Sequence, residues 1–297
     1  MTTQTIICGH RGGGGDPQNV GLLVGQNNTL DHYQKRDLWG NRRKTFELML
    51  KQSIRCFEFD LLPSKEGEAI VVHDSYINGR HVAEQSTSEL AEAGYITFIE
   101  LLGLMDSFRG NLLLLTELKG SHSSENATDA GADGIHPESV ALTRRTVEII
   151  TQRVNSGHWN YTQIPVIGFN HKMLRLAQEC NPQIEVGLSF AGENFHIDIP
   201  AGLDDNSLKG AYNKQILQQV DDFIQSGGRP YAITPDSRFV DEALVKAIHA
   251  KGLKVQSWSA FRIAEKPEII AISDIWITDC PLAAQKTLRQ IADKRSS

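Results

Sequence analysis

The chain is short of several things that would have set its class. No stretch of its 297 residues is long and apolar enough to read as a membrane span, and residues 1–8 carry no basic start before their apolar run. Neither a span nor a signal peptide is therefore expected. It lacks a basic excess: 30 Lys and Arg against 36 Asp and Glu leave a net charge of −6, which argues against a protein that tracks nucleic-acid phosphates. Only four cysteines occur, Cys8, Cys56, Cys180 and Cys280, and none forms a C-x-x-C pair, so zinc-ribbon and dithiol redox motifs find no support. Cys8 and Cys56 lie in apolar runs, where a thiol acts as a small hydrophobe, and a reduced, cytoplasmic setting is the expectation. No Pro-rich, polar or low-complexity segment divides the chain. Residues 1–297 read as one domain, with 40% apolar residues enough for a sizeable core.

What is present alternates. Short, mostly apolar runs at 5–9, 56–61, 69–73, 112–118, 165–169, 185–190, 231–234, 254–258 and 274–278 have the composition of buried parallel strands. Helical patterns at 44–52, 98–107, 137–155, 172–179, 212–225, 238–250 and 281–292 separate many of them. Strand and helix in turn predict parallel crossovers, hence an α/β fold, and the length suits a (β/α)8 barrel. Nine strands are one too many. The short stretch between Leu61 and Ala69, with Pro63-Ser64-Lys65-Glu66-Gly67 in it, cannot contain a crossover helix, so 69–73 is expected to fold back antiparallel as a hairpin and return His73 to the end of the second strand. The long connections 11–43, 120–136 and 191–211 all leave carboxyl ends of strands, where barrel enzymes keep their sites.

Chemistry-bearing residues collect at those same ends: His10 and Arg11 after the first strand, Glu58 and Asp60 in the second, His73 and Asp74 after the hairpin, Glu117 and Lys119 in the fourth. Residues two apart on a strand share a face, so Glu58 pairs with Asp60 and Glu117 with Lys119. Three carboxylates pointing into one pocket need a counter-charge. A hard divalent cation with oxygen ligands, Mg2+ or Ca2+, answers this better than zinc, for which no Cys/His spacing exists. Arg11 and Lys119 could clamp a phosphate diester beside it, and His10 and His73 could move the protons that diester cleavage requires. Each piece alone also has a plain reading: E-x-D as a solvated strand end, E-x-K as an ion pair, Trp258 as core. The order of all of them along the chain carries the argument. The glycine run 12–15 lacks the P-loop and dinucleotide spacings, and a turn that allows close approach explains it at least as well as a phosphate cradle.

His10-Arg11-Gly12, then E-x-D at Glu58–Asp60, then His73-Asp74, then Glu117-x-Lys119 resembles the glycerophosphodiester phosphodiesterase family over nearly the whole chain. Gly168-Phe169-Asn170, the strand ending at Trp258, and Thr278-Asp279-Cys280-Pro281 are similar to further family segments. The resemblance implies a metal-dependent phosphodiesterase of lipid and glycerol metabolism on a TIM barrel, yielding sn-glycerol 3-phosphate and an alcohol. It implies Glu58, Asp60 and Glu117 as metal ligands and His10 and His73 as the acid/base pair. Arg11, Lys119 and Trp258 would bind a small-molecule phosphodiester. The family's Pro-Glu-Asn-Thr segment aligns with Pro17-Gln18-Asn19-Val20 or with Asn28-Thr29, and Ser259-Ala260-Phe261 departs from the family pattern after Trp258. Two other functions stay open: phospholipase-D-like or lyase-type cleavage of a lysophospholipid on the same barrel, and a non-catalytic barrel that binds a phosphate ligand. Dispersed cysteines speak against the disulfide-bearing secreted enzymes of the former kind. The alcohol, the choice between Mg2+ and Ca2+, and the oligomeric state are not readable from the sequence.

Overall fold

A computed structural model describes residues 5–14, 39–120, 135–191, 205–258 and 267–296. The strands are β1 Ile6–Gly9, β2 Cys56–Pro63, β3 Ala69–Val71, β4 Tyr76–Ile77, β5 Arg80–His81, β6 Leu113–Leu118, β7 Val166–Gly168, β8 Val186–Phe190, β9 Pro230–Pro235, β10 Lys254–Ser257 and β11 Ile275–Thr278. The helices are α1 Arg43–Lys51, α2 Thr87–Glu92, α3 Phe98–Met105, α4 Pro137–Asn155, α5 His171–Cys180, α6 Asp205–Gln225, α7 Glu242–Ala250, α8 Pro267–Ile272 and α9 Pro281–Ser296.

The strand order β1-β11-β10-β9-β8-β7-β6-β2, closed by β1 against β2, is a barrel of eight parallel strands. The ninth member, β3, is antiparallel to β2, with Leu61 opposite Val71 and Pro63 opposite Ala69. The short Ser64–Glu68 connection forces that reversal, as expected from its length. Beyond it, Asn78 and Gly79 at φ 52° and 76° make the tight turn between β4 and β5. Asn-Gly is the pair that tolerates two successive positive φ angles there. Leu62, Ile70, Val72, Ile77, Val82 and Leu90 give this excursion a small core of its own. The helices that follow start cleanly: Ser86 with Glu89 and Thr97 with Glu100 form reciprocal N-terminal caps on α2 and α3.

Alternation along β2 explains how one strand serves two environments. Phe57, Phe59 and Leu61 turn outward into the core shared with the helices, where Phe46, Met49 and Leu50 of α1 meet them at helical spacing. Cys56 turns inward with Cys8, Leu115, Ile167, Ile275 and Ile277, which fill the barrel. Glu58 and Asp60 continue that inward face towards the carboxyl end.

Two sequence expectations change. Cys8 and Cys56 are not separate thiols but a disulfide, with Cα atoms 4.4 Å apart. β1 and β2 lie side by side in the closed barrel, Gly9 opposite Phe57, so both inward-facing sulfurs meet. The cysteine argument for a reduced compartment no longer stands. Cys180 and Cys280 are not disulfide-bonded. Among the described residues, no helix is long and apolar enough to cross a membrane. The glycine run is a site of close approach: a β-carbon on Gly14 would stand 2.5 Å from the Gly40 nitrogen, and one on Gly12 would stand 2.9 Å from the Phe46 ring. The segments at 17–20, 28–29 and 259–261, and most of the three long connections, lie outside the described residues.

Candidate active site

The carboxyl ends of β1, β2, β6 and β11 bring their polar side chains to one place. β2 and β6 run in parallel with Asp60 opposite Glu117, which sets those carboxylates on adjacent strands and on one face. Glu58 stands one inward step below Asp60. All three are buried, and each offers an oxygen within 4.8 Å of the others.

Beyond β1 the chain makes a tight turn through His10–Gly13, with Arg11 itself in the left-handed region at φ 47°. That conformation is uncommon outside glycine. It turns the Arg11 amide inward to donate to Glu58 Oε2 at 2.8 Å. The Arg11 guanidinium is buried, with Nε 3.9 Å from Asp60 Oδ2. Lys119 Nζ donates to Glu117 Oε1 at 2.9 Å and stands 3.3 Å from Asp60 Oδ1. His10 Nδ1 bonds Asp279 Oδ1 at 2.7 Å, while its Nε2 faces Glu58 Oε2 at 3.8 Å. His73 Nδ1 bonds Asp74 Oδ1 at 2.7 Å, and His73, Asp74, Arg11 and Asn41 wall one recess together with Gly40, Val72 and Tyr95.

The charges are strongly coupled. Burial, then repulsion from Asp60 and Glu117, pushes Glu58 well above the usual carboxylate range. Glu117 is raised by burial and by Asp60, against the pull of Lys119. Burial also opposes the charge on Asp60, but Lys119, His73, Arg11 and His10 outweigh it and hold that carboxyl well below its ordinary value. Burial, then Lys119, pushes His73 down to about 4 against the opposing pull of Asp60 and Asp74. An imidazole so placed is neutral near pH 7 and able to accept a proton.

A hard divalent cation fits this donor set. Three buried carboxylates converge, Glu58 is destabilised as an anion by burial and by its neighbours, and Glu58 Oε1 is buried with no hydrogen-bond partner among the described residues. Oxygen-only ligation of this kind suits Mg2+ or Ca2+.

Of the residues singled out in the sequence, the structure gathers His10, Arg11, Glu58, Asp60, His73, Glu117 and Lys119 around one point. Trp258 lies at the end of β10, its indole N–H donating to Phe190 O at 3.0 Å and its ring set edge-on to Phe169 at 5.3 Å. It offers an aromatic wall, partly buried against the interior cluster. Two neighbours carried no role in the sequence reading. Asp279 stood in plain view at the end of the last strand, in a segment quoted only for its resemblance. Asn41 donates through Nδ2 to Asp60 Oδ2 at 2.8 Å; nothing in its local sequence sets it apart from Asn19 or Asn28.

No protein-family model and no curated protein matches the chain. Solved structures do. A protein from Silicibacter pomeroyi assigned as a glycerophosphoryl diester phosphodiesterase is 17% identical with TM-score 0.68, over 98% of this chain and 95% of that one. A glycerophosphodiester phosphodiesterase from Parabacteroides distasonis is 17% identical with TM-score 0.63, over 98% and 100%. A phosphodiesterase from Oleispira antarctica, in complex with its product sn-glycerol-3-phosphate, is 18% identical with TM-score 0.61, over 96% and 97%. The likeness spans the whole barrel and is to the family whose motifs the sequence resembles; at this identity it establishes the shared fold.

Proposed function

We propose that the chain hydrolyses a glycerophosphodiester to sn-glycerol 3-phosphate and an alcohol, with a divalent cation held by Glu58, Asp60 and Glu117. One observation carries the reading: the three buried carboxylates converge between two imidazoles, each tied at Nδ1 to a carboxylate, with Arg11 and Lys119 alongside. Solved structures of the same fold include a glycerophosphodiester phosphodiesterase and a phosphodiesterase in complex with its product sn-glycerol-3-phosphate, which supports the choice of substrate.

A bound cation would supply charge neutralisation and Lewis acidity at the phosphate. The remaining work falls to side chains. Arg11 and Lys119 balance the non-bridging oxygens, Arg11 through a planar fork and Lys119 as a point charge. With Nδ1 committed to Asp279, His10 presents Nε2 to the pocket, and His73 does the same with Nδ1 on Asp74. One imidazole takes the proton of the attacking water and the other returns one to the leaving alkoxide. Asp279 and Asp74 hold each ring in register and stabilise it when protonated. Trp258, edge-on to Phe169, lines the side where the organic part of the diester packs.

A coupled assay for glycerol 3-phosphate, run on glycerophosphocholine and glycerophosphoethanolamine with Mg2+ or Ca2+ and again with EDTA, tests this. Turnover abolished by EDTA is expected; a chain inert on every diester in both cations sinks the reading. The disulfide removes the objection raised from the cysteines against lysophospholipid cleavage by internal attack. Phosphorus NMR decides that point, since internal attack leaves a cyclic phosphate and hydrolysis a monoester.

A further inference from the structure

Asn41 is 2% exposed and stands in the left-handed region at φ 58°. Several ties hold it there. Its amide donates to Arg11 O at 2.9 Å, and Thr45 Oγ1 reaches back to Trp39 O at 2.6 Å. The next residue, Arg42, donates to Ala93 O at 2.8 Å and lays its guanidinium over Tyr95, 3.6 Å from the ring centroid. The turn is thus pinned both to the His10–Gly13 turn and to the excursion beyond β3.

Its carboxamide faces two ways. Nδ2 donates to Asp60 Oδ2 at 2.8 Å, while Asp60 Oδ1 stands towards Lys119. The orientation of the amide follows from chemistry, since only its nitrogen can donate to a carboxylate. Oδ1 is then buried with no partner among the described residues. A buried acceptor left unpaired is costly, and Asn41 belongs to the wall of the recess shared with Arg11, His73, Asp74 and Tyr95. The recess is tight, with room for about one water-sized group.

We propose that Asn41 is a positioning residue of the cation site: Nδ2 fixes the Asp60 carboxylate, and Oδ1 accepts from an O–H group that enters the recess when the site is loaded. That O–H comes from a water on the cation or from a free hydroxyl of the diester. The binding part of this inference rests on the cation reading of the three carboxylates; only the source of the O–H rests on the proposed hydrolysis.

Asn41→Gly is the variant of choice, because glycine takes φ 58° without strain and only the carboxamide is lost. Calorimetric titration with Mg2+ and with Ca2+, without substrate, reads the effect. Affinity is expected to fall roughly tenfold, the scale of one hydrogen bond to a charged group. The cation-induced rise in melting temperature should shrink with it, while the melting temperature in EDTA stays close to that of the parent. A purely structural role would do the reverse, and unchanged cation affinity in the variant overturns the proposal. NMR of the parent chain adds a readout free of any folding defect: the Asn41 side-chain NH2 signals must move as Mg2+ is added, and unmoved signals also overturn it.

At saturating Mg2+, KM for glycerophosphocholine and for bis(4-nitrophenyl) phosphate, which has no hydroxyl, separates the sources. A rise confined to the former assigns the O–H to the substrate, and equal values assign it to water. A parent chain that binds Mg2+ but cleaves no diester refutes the proposed hydrolysis while leaving the Asn41 result standing. A parent chain that binds neither cation overturns the inference itself.

Discussion

Replacing Asp279 by Asn isolates what a buried carboxylate contributes behind His10. The shape of the side chain is retained, and the amide oxygen can still accept from Nδ1, so the imidazole keeps its orientation and its tautomer. What is lost is a negative charge 2.7 Å from a ring that, in the proposed hydrolysis, carries a proton for part of each turnover. Asp279 is fully buried and His10 is only 13% exposed, so water screens this pair little. A hydrogen bond to a charged partner contributes about 1.5–3 kcal/mol where a neutral one contributes about 1. The neutral bond remains, so the loss when the ring is protonated is the difference, about 0.5–2 kcal/mol, and kcat falls by roughly 2- to 30-fold at about 1.4 kcal/mol per tenfold. The loss should fall on kcat, because the proposed cation ligands and the neighbouring Arg11 and Lys119 are untouched. The assay is steady-state release of glycerol 3-phosphate at saturating Mg2+, with Mg2+ affinity measured in parallel by calorimetry. A variant whose kcat equals that of the parent, with its Mg2+ affinity intact, would refute the argument that Asp279 stabilises a protonated His10.

Four further outcomes follow from the same geometry. Asp60→Asn should lose the stabilisation that a cation confers on the folded chain, about 2.7 kcal/mol at a hundredfold excess over Kd, seen as a melting shift present in the parent and absent in the variant; an equal shift in both would remove Asp60 from the ligand set. Glu58 and Glu117 are raised above the ordinary carboxylate value of 4.5, so without a cation they retain protons that binding must expel. Mg2+ affinity should therefore climb as pH rises above 4.5, with proton release visible as a dependence of binding enthalpy on buffer; a pH-independent affinity across that range contradicts the assignment. Denatured, unreduced protein should titrate as two thiols, Cys180 and Cys280, rather than four. Breaking the Cys8–Cys56 bridge, which closes a loop of 48 residues, should lower stability by up to about 4 kcal/mol in chemical denaturation, and four thiols in the first experiment would dispose of the second.

How far the site could be read from the chain depended on the range of each constraint. The E-x-D of Glu58 and Asp60 was legible because strand geometry alone puts alternate residues on one face. The fold-back of Ala69–Val71 was legible because its connection is too short for anything but an antiparallel return. The ends of α4 were likewise legible, since Pro137 starts it and its apolar spacing runs on to Asn155. The small helices α2 and α8 and the pair β4 and β5 carried too few residues for a period to show.

What lay beyond reach was anything settled by closure. His10 and Asp279 are 269 residues apart and meet only because β11 pairs with β1. Cys8 and Cys56 looked like two buried hydrophobes until that same closure laid β1 beside β2. Asn41 could not be told from other asparagines, because its role comes from a left-handed turn and from a carboxylate 19 residues further on. Local periodicity and connection length thus determined the elements, their direction and which faces carry the acids. Which side chains become partners was decided by the barrel, since a through-space contact between strand ends depends on register and curvature that no short window of sequence contains.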